Sequence, residues 1–134
     1  MKIAFVGTSI DLTDDEERDV RKFIAMILKN RYSNSDDIVI TGGATGVDSL
    51  AFEFARGLFF KTKIYNPKKQ QWKYFQQRNL QIAKDCDELH CISIPVRHKR
   101  CYHHEELQEH EKTAGCWTMK KALELDKPCQ LIVI

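Results

Sequence analysis

The chain has 134 residues and a formal net charge of +2, long enough to bury one real core and too short for two. So small a charge gives no argument for nucleic acid by itself, and no apolar stretch approaches the ~20 residues needed to span a bilayer. The cysteines (Cys86, Cys91, Cys101, Cys116 and Cys129) are odd in number and form no paired C-x-x-C motif, which argues against a disulfide framework and for a cytoplasmic protein with reduced thiols.

In chain order, residues 2–7 read as a buried first strand; the apolar stretch before Gly7 is too short for a signal h-region. A helix is predicted from Asp14 to about Tyr32, with Val20, Phe23, Ile24, Ile27 and Leu28 at helical spacing. Thr13 is its N-cap, with Asp14, Asp15, Glu16 and Glu17 complementing the dipole. Ser33–Asp36 is the return loop. Ile38-Val39-Ile40 is a second strand, running into Gly42, Gly43 and Gly46 and then into a helix with Leu50, Ala51, Phe54 and Ala55 on one face. Lys63–Asn66 is a third strand, and Gln71 to Asp85 a helix with Phe75, Leu80, Ile82 and Ala83 inward. Leu89–Ile94 is a fourth strand. A polar insertion over 96–112 follows, then a helix from Gly115 to Leu125 and a terminal strand over Gln130–Ile134. This alternation predicts an α/β fold: a single three-layer Rossmann-like domain over 1–134, about five mainly parallel strands with helices on both faces.

In such a sheet, ligands sit beyond the carboxyl ends of the strands, near the switch in strand order. Gly7-Thr8-Ser9, Gly42-Gly43 and the segment from Pro95 all follow strand ends and share that rim. A strand emptying through glycines into a helix builds a phosphate cradle, because the backbone can approach a ligand and the helix start offers unpaired N–H groups. The same glycines also serve plain turn chemistry. Gly42-Gly43-x-x-Gly46 matches neither the G-x-G-x-x-G fingerprint nor a P-loop. The hydroxyls of Thr8 and Ser9 either bond phosphate or ribose or cap the loop. Asp48, in a first helical turn, either holds a ribose or base edge or complements the dipole, which would lower its pKa. Arg78, beside Asn79, offers a planar fork of donors to a phosphate, or is simply solvated.

Gly42-Gly43-Ala44-Thr45-Gly46-Val47-Asp48-Ser49-Leu50-Ala51, then Trp72, Arg78-Asn79, Asp85-Cys86-Asp87, and Gly115-Cys116-Trp117-Thr118-Met119 with Ala122, resemble in order the SLOG superfamily. That Rossmann-like group contains the LOG "lysine decarboxylase-like" proteins and the DprA DNA-processing proteins, and the match is nearest the small YspA/YpsA-related branch. The resemblance runs from Lys2 to Ile134 apart from the insertion. It implies a nucleotide or nucleotide-derived ligand at Gly42–Asp48 and at a Gly115 turn. The expected site, read from the turns at the strand ends with Arg78 brought in by the resemblance, is Gly7, Thr8, Ser9, Gly42, Gly43, Thr45, Gly46, Asp48, Arg78, Asn79, Gly115, Cys116 and Thr118. LOG enzymes carry a late P-G-G-x-G-T-x-x-E motif whose Glu takes part in the chemistry. Here Thr113–Met119 keeps one glycine of that motif, with Cys116 where Thr is expected and Met119 where the Glu should fall. Cleaving a glycosidic bond needs a carboxylate, so the departure favours binding over turnover. Asp48 and Cys116 are the candidate catalytic groups if turnover occurs; Cys116 at a helix start is either an activated thiol or a small buried residue filling a tight turn.

Four of the five histidines fall in the insertion with Cys101. Read as a helix, residues 103–111 place His103, Leu107 and His110 on one face. His98, Cys101, His103 or His104, and His110 could hold zinc, though no standard spacing is met; the alternative is a flexible polar flap whose Arg97, Lys99 and Arg100 add positive charge above the glycine loop. The expected function is therefore a sensor or carrier of a nucleotide or nucleotide-derived ligand, with no required cofactor. The alternative is a hydrolase of a glycosidic or phosphate bond. Single-stranded DNA binding of the DprA type is weaker, resting on Lys68, Lys69, Trp72, Lys73 and Tyr74. A small-molecule partner, a homodimer and no membrane complete the expectations.

Overall fold

The structure, a computed structural model, describes residues 1–31, 36–103 and 107–134. Its first strand, β1 (Lys2–Gly7), is apolar on both faces, as a strand covered on both sides must be. Ile3 and Phe5 point into one core with Val20, Ile24 and Leu28. Ala4 and Val6 point into a second core with Ile82, Leu89 and Met119. The helices supplying those residues are α1 (Asp14–Lys29), with α2 (Val47–Gly57) beside it, and on the opposite face α3 (Trp72–Asp85) with α4 (Ala114–Glu124). The remaining strands are β2 (Ile38–Thr41), β3 (Lys61–Ile64), β4 (Glu88–Ser93) and β5 (Cys129–Val133). They pair in the order β3-β2-β1-β4-β5, every neighbour parallel. The expected Rossmann-like α/β architecture is the one observed. Among the described residues, no helix is long and apolar enough to cross a membrane.

Local chemistry sets the element ends. Thr13 caps α1 in a full capping box: its hydroxyl accepts from Glu16 N while the Glu16 carboxylate accepts from Thr13 N, satisfying two end donors reciprocally. Within the described residues α1 ends at Lys29; the expected end at Tyr32 and the loop over Ser33–Ser35 lie outside them. The third strand lies two residues earlier than expected, at Lys61–Ile64. It is an exposed edge strand whose register is set by β2, Ile38 pairing with Lys61 and Thr41 with Ile64. Aromatic and apolar character misplaced it, because edge strands are commonly polar and lysine-bearing. Leu80, expected inward, is only half-buried, while Asn79 takes a buried position on α3.

The insertion is not a loose flap where it is described. Cys101 N donates to His110 O at 2.9 Å, Lys112 N to Lys99 O at 2.8 Å and Glu111 N to Ile94 O at 2.8 Å. The Glu111 carboxylate accepts from the backbone N–H groups of Arg97, His98 and Lys99. Burial works against its ionisation, but those donors hold its pKa below the usual carboxylate range. Residues 107–110 are not helical, and His104 to Glu106 lie outside the described residues. Arg97 pairs with Glu16 and Arg100 with Glu109, and Lys99 lies over the Tyr102 ring. None of these three cations lines the cleft beside the glycine loop.

Candidate functional site

The switch in strand order falls between β1 and β4, from which chain connections run in opposite directions. Beyond the carboxyl ends of the strands there lies a cleft of about 280 Å³, at the lower end of small-molecule sites. The end of β1 contributes Gly7 and the loop after it Ser9, the loop after β2 contributes Gly43 and Ala44, and α2 contributes Asp48. The loop after β3 adds Asn66, Pro67 and Gln70; α3 adds Trp72, Phe75, Arg78 and Asn79; the first turns of α4 add Ala114, Gly115 and Thr118.

The glycines do two kinds of work. A Cβ at Gly46 would lie 2.2 Å from Thr8 O, and one at Gly115 only 2.4 Å from Gly7 N. These residues let the starts of α2 and α4 press against the end of β1, so their absence of side chain is a packing requirement. Gly43, with φ +74° beside +78° at Gly46, differs in its surroundings: an added Cβ would meet only the side chains of Ile64 and Asn66. It is exposed at the cleft and holds a left-handed turn that disfavours other residues.

Arg78 and Asp48 converge on Gly42, where a Cβ would sit 2.9 Å from both Arg78 Nη1 and Asp48 Oδ2. Arg78 Nη1 donates to Gly42 O and, at 3.2 Å, to Tyr65 O; Nε donates to Asn79 Oδ1 at 2.6 Å. The guanidinium is thus a tie between the loops after β2 and β3 rather than a solvated helical arginine. Burial pulls its pKa down and the Asp48 charge opposes that. Asp48 Oδ2 accepts from Ala44 N at 3.2 Å, so a carboxylate already occupies one donor of the glycine loop. The expected dipole-lowered Asp48 is overturned: burial pushes its carboxyl up to about 6, against the lowering effects of Ala44 N–H, Arg78 and Gly42 N–H. Desolvation of a nearly enclosed carboxylate outweighs one helix end.

Of the candidates read from the sequence, Gly7, Ser9, Gly43, Asp48, Arg78, Asn79, Gly115 and Thr118 line the cleft. Gly115 does so from inside α4, whose N-cap is Thr113, and not from a separate turn. Gly42 and Gly46 lie behind the lining, and Thr45 turns its hydroxyl to Ser9 O at 3.0 Å. Thr8 is buried, and its hydroxyl has no hydrogen-bond partner among the described residues. Cys116 is fully buried and faces away from the cleft, its Sγ 3.4 Å from His110 Nε2. His98, exposed, and His103 stand outside the cluster that Cys101 and His110 form with Cys116. Asn66, Pro67, Gln70 and Phe75 were missed. The signal was available: the loop after β3 leaves the same rim as the others, and Asn66-Pro67 is turn chemistry at a strand end.

No protein-family model matches the sequence, and no curated protein matches it either. Solved structures do share its fold. DNA processing protein A (DprA) from Streptococcus pneumoniae superposes with a TM-score of 0.66 at 17% identity, over 97% of this chain and 49% of that one. TM1055 gives 0.63 at 18% identity over 96% of this chain and 71% of its own. The chain spans about half the length of the DprA structure. The Rossmannoid fold common to these proteins, expected from the resemblance, is the fold of this chain.

Proposed function

We propose that this DprA/LOG-type fold serves here as a binding module, a sensor or carrier, for a nucleotide or nucleotide-derived ligand held in the cleft at the β1/β4 switch. One observation carries the reading: an aromatic face, a carboxyl acceptor and a helix N-terminus converge on a single cleft of mononucleotide scale. Trp72, half exposed at the mouth, and Phe75 offer π-faces to a base. Asp48 suits a ribose hydroxyl or a base N–H. The first turn of α4, at Ala114 and Gly115, supplies the positive dipole end that favours phosphate. Calorimetric titration with nucleoside mono-, di- and triphosphates tests this; binding that is weakened about tenfold or more in Trp72→Ala is expected, and no heat with any of them would refute it.

Asp48 supports a second reading. A carboxyl with a pKa of about 6 is better matched to proton transfer near neutrality than the expected dipole-lowered one. In that reading the cleft hydrolyses a glycosidic or phosphate bond. Chromatography of the same incubations for released base or phosphate separates the two: turnover abolished by Asp48→Asn makes the protein an enzyme. For single-stranded DNA, as the name of the DprA neighbour suggests, the relevant surface is a groove beside the cleft, where Trp72, Trp117 and Tyr102 lie with Lys112 and Lys120. Fluorescence anisotropy with an oligonucleotide reads that surface directly.

A further inference from the structure

Away from the cleft, Cys91, Cys101 and Cys116 are buried in the second core, and His110 is buried beside Cys116. Cys101 and His110 come from the insertion and Cys116 from the first turn of α4. All three are buried, and Cys101 Sγ, Cys116 Sγ and a His110 ring nitrogen lie within 4.8 Å of one another. Cys91, fully buried on β4, is near enough to Cys116 and Cys101 for them to raise its thiol pKa, but its Sγ lies outside that 4.8 Å group and must swing in to serve as a fourth ligand. We propose that Cys91, Cys101, His110 and Cys116 form a tetrahedral Cys3His site for a thiophilic divalent ion, zinc by its chemistry.

The geometry fits that ion. Zn–S bonds of about 2.3 Å and Zn–N bonds of about 2.0–2.1 Å put tetrahedral ligand atoms roughly 3.5–3.8 Å apart. His110 Nε2 and Cys116 Sγ are already 3.4 Å apart, and the remaining ligand atoms of the triad have about 1 Å to close from the 4.8 Å limit. The tautomer is also set. His110 Nδ1 lies 2.6 Å from Gln108 O, and a carbonyl can only accept, so Nδ1 carries the proton and Nε2 turns its lone pair to the cluster. Metal-bound histidines are oriented by this kind of outer hydrogen bond. The sulfurs are surrounded by donors that favour thiolate: Thr113 Oγ1 donates to Cys116 Sγ at 3.4 Å, and His103 N to Cys101 Sγ at 3.3 Å. Binding would release the thiol protons to solvent, leaving thiolates on the ion. A Cys116–His110 nucleophile pair is the competing use of these groups, but both are buried too deeply for a substrate to reach. The ion would staple the insertion to the first turn of α4, and so to one wall of the cleft.

The test uses the untagged full chain, reduced and stripped by a chelator, then titrated with Co2+ and Zn2+. The expected result is one Co2+ per chain, with thiolate-to-cobalt charge-transfer absorption of three-sulfur intensity and tetrahedral ligand-field bands, displaced by one Zn2+. Cys101→Ser and His110→Ala should each weaken Zn2+ binding by more than about 100-fold, beyond the roughly 10–100-fold cost of losing an outer-shell partner. Cys129→Ser, outside the cluster, should bind as wild type. Absence of the charge-transfer band in fully reduced wild-type protein overturns the proposal without reliance on any variant. So does a Cys101–Cys116 disulfide whose reduction restores no metal binding, or full affinity in both ligand variants. None of these readouts involves a nucleotide.

Discussion

Burial of Asp48 links stability to the chemistry of the cleft. Its carboxyl titrates at about 6 in the folded chain against an ordinary 3.8, so the folded state binds the extra proton between those values. The contribution of Asp48 to stability is therefore greatest below about 3.8, falls as pH rises to about 6, and stays reduced above it, by about 3 kcal/mol at most, while carboxylates held low, such as Glu111, lose theirs in acid. Asp48→Asn keeps an acceptor for Ala44 N–H and removes the charge. It is expected to raise the melting temperature at pH 7–8 and to give no gain near pH 4, which a thermal-denaturation series against pH checks. If the same variant loses ligand, the carboxylate is kept at a cost to stability for the sake of the site. Trp72 is the complementary case, half exposed and outside both cores. Trp72→Ala should weaken nucleotide binding about tenfold or more, the scale of one base–aromatic stack, while changing the melting temperature little.

Among the elements, α1 shows how far local chemistry reaches. Its capping box, acidic first turn and apolar spacing are all consecutive in sequence, and its start falls where they put it. Thr13→Ala should cost about 1 kcal/mol in denaturant unfolding. The start of α4 depends instead on a distant partner. Gly115 packs against Gly7 across the sheet, where a methyl group would stand 2.7 Å from Gly7 Cα and 2.4 Å from its nitrogen. Gly115→Ala is expected to destabilise by roughly 1–3 kcal/mol and to move the cleft wall, so that ligand affinity falls with stability. Retained stability and affinity together would show that α4 can shift freely.

At the scale of the whole molecule, Arg78 joins three parts of the cleft rim: α3, the loop after β2 through Gly42 O, and the end of β3 through Tyr65 O. Among the described residues β3 has β2 as its sole strand neighbour, so this tie helps to hold the sheet's edge. Arg78→Ala leaves both carbonyls without that donor, a loss of about 1–3 kcal/mol where they are buried. Native-state hydrogen exchange is expected to show faster opening of β3 and the glycine loop in the variant. Exchange in β1 and β4, at the centre of the sheet, should follow only the global stability.

The order of strands and helices, the parallel sheet, the cap of α1 and the placement of the Gly7–Ser9 and Gly42-Gly43 segments on one rim follow from patterns contained within short stretches of chain. Periodicity and capping are local properties, so the residues that carry them are adjacent and legible. The edge register of β3, the inward turn of Arg78 and the raised pKa of Asp48 depend on neighbours far along the chain, and the joining of Cys116 to His110 depends on how the insertion folds back. Arg78 finds its carbonyl partner 36 residues away, and Asp48 titrates high because of enclosure, which no spacing encodes. Thr113–Met119 illustrates the division most clearly. Its sequence identifies a helix start with one glycine and a cysteine, while only packing against β1, β4 and the insertion turns the glycine toward the cleft and the thiol away from it.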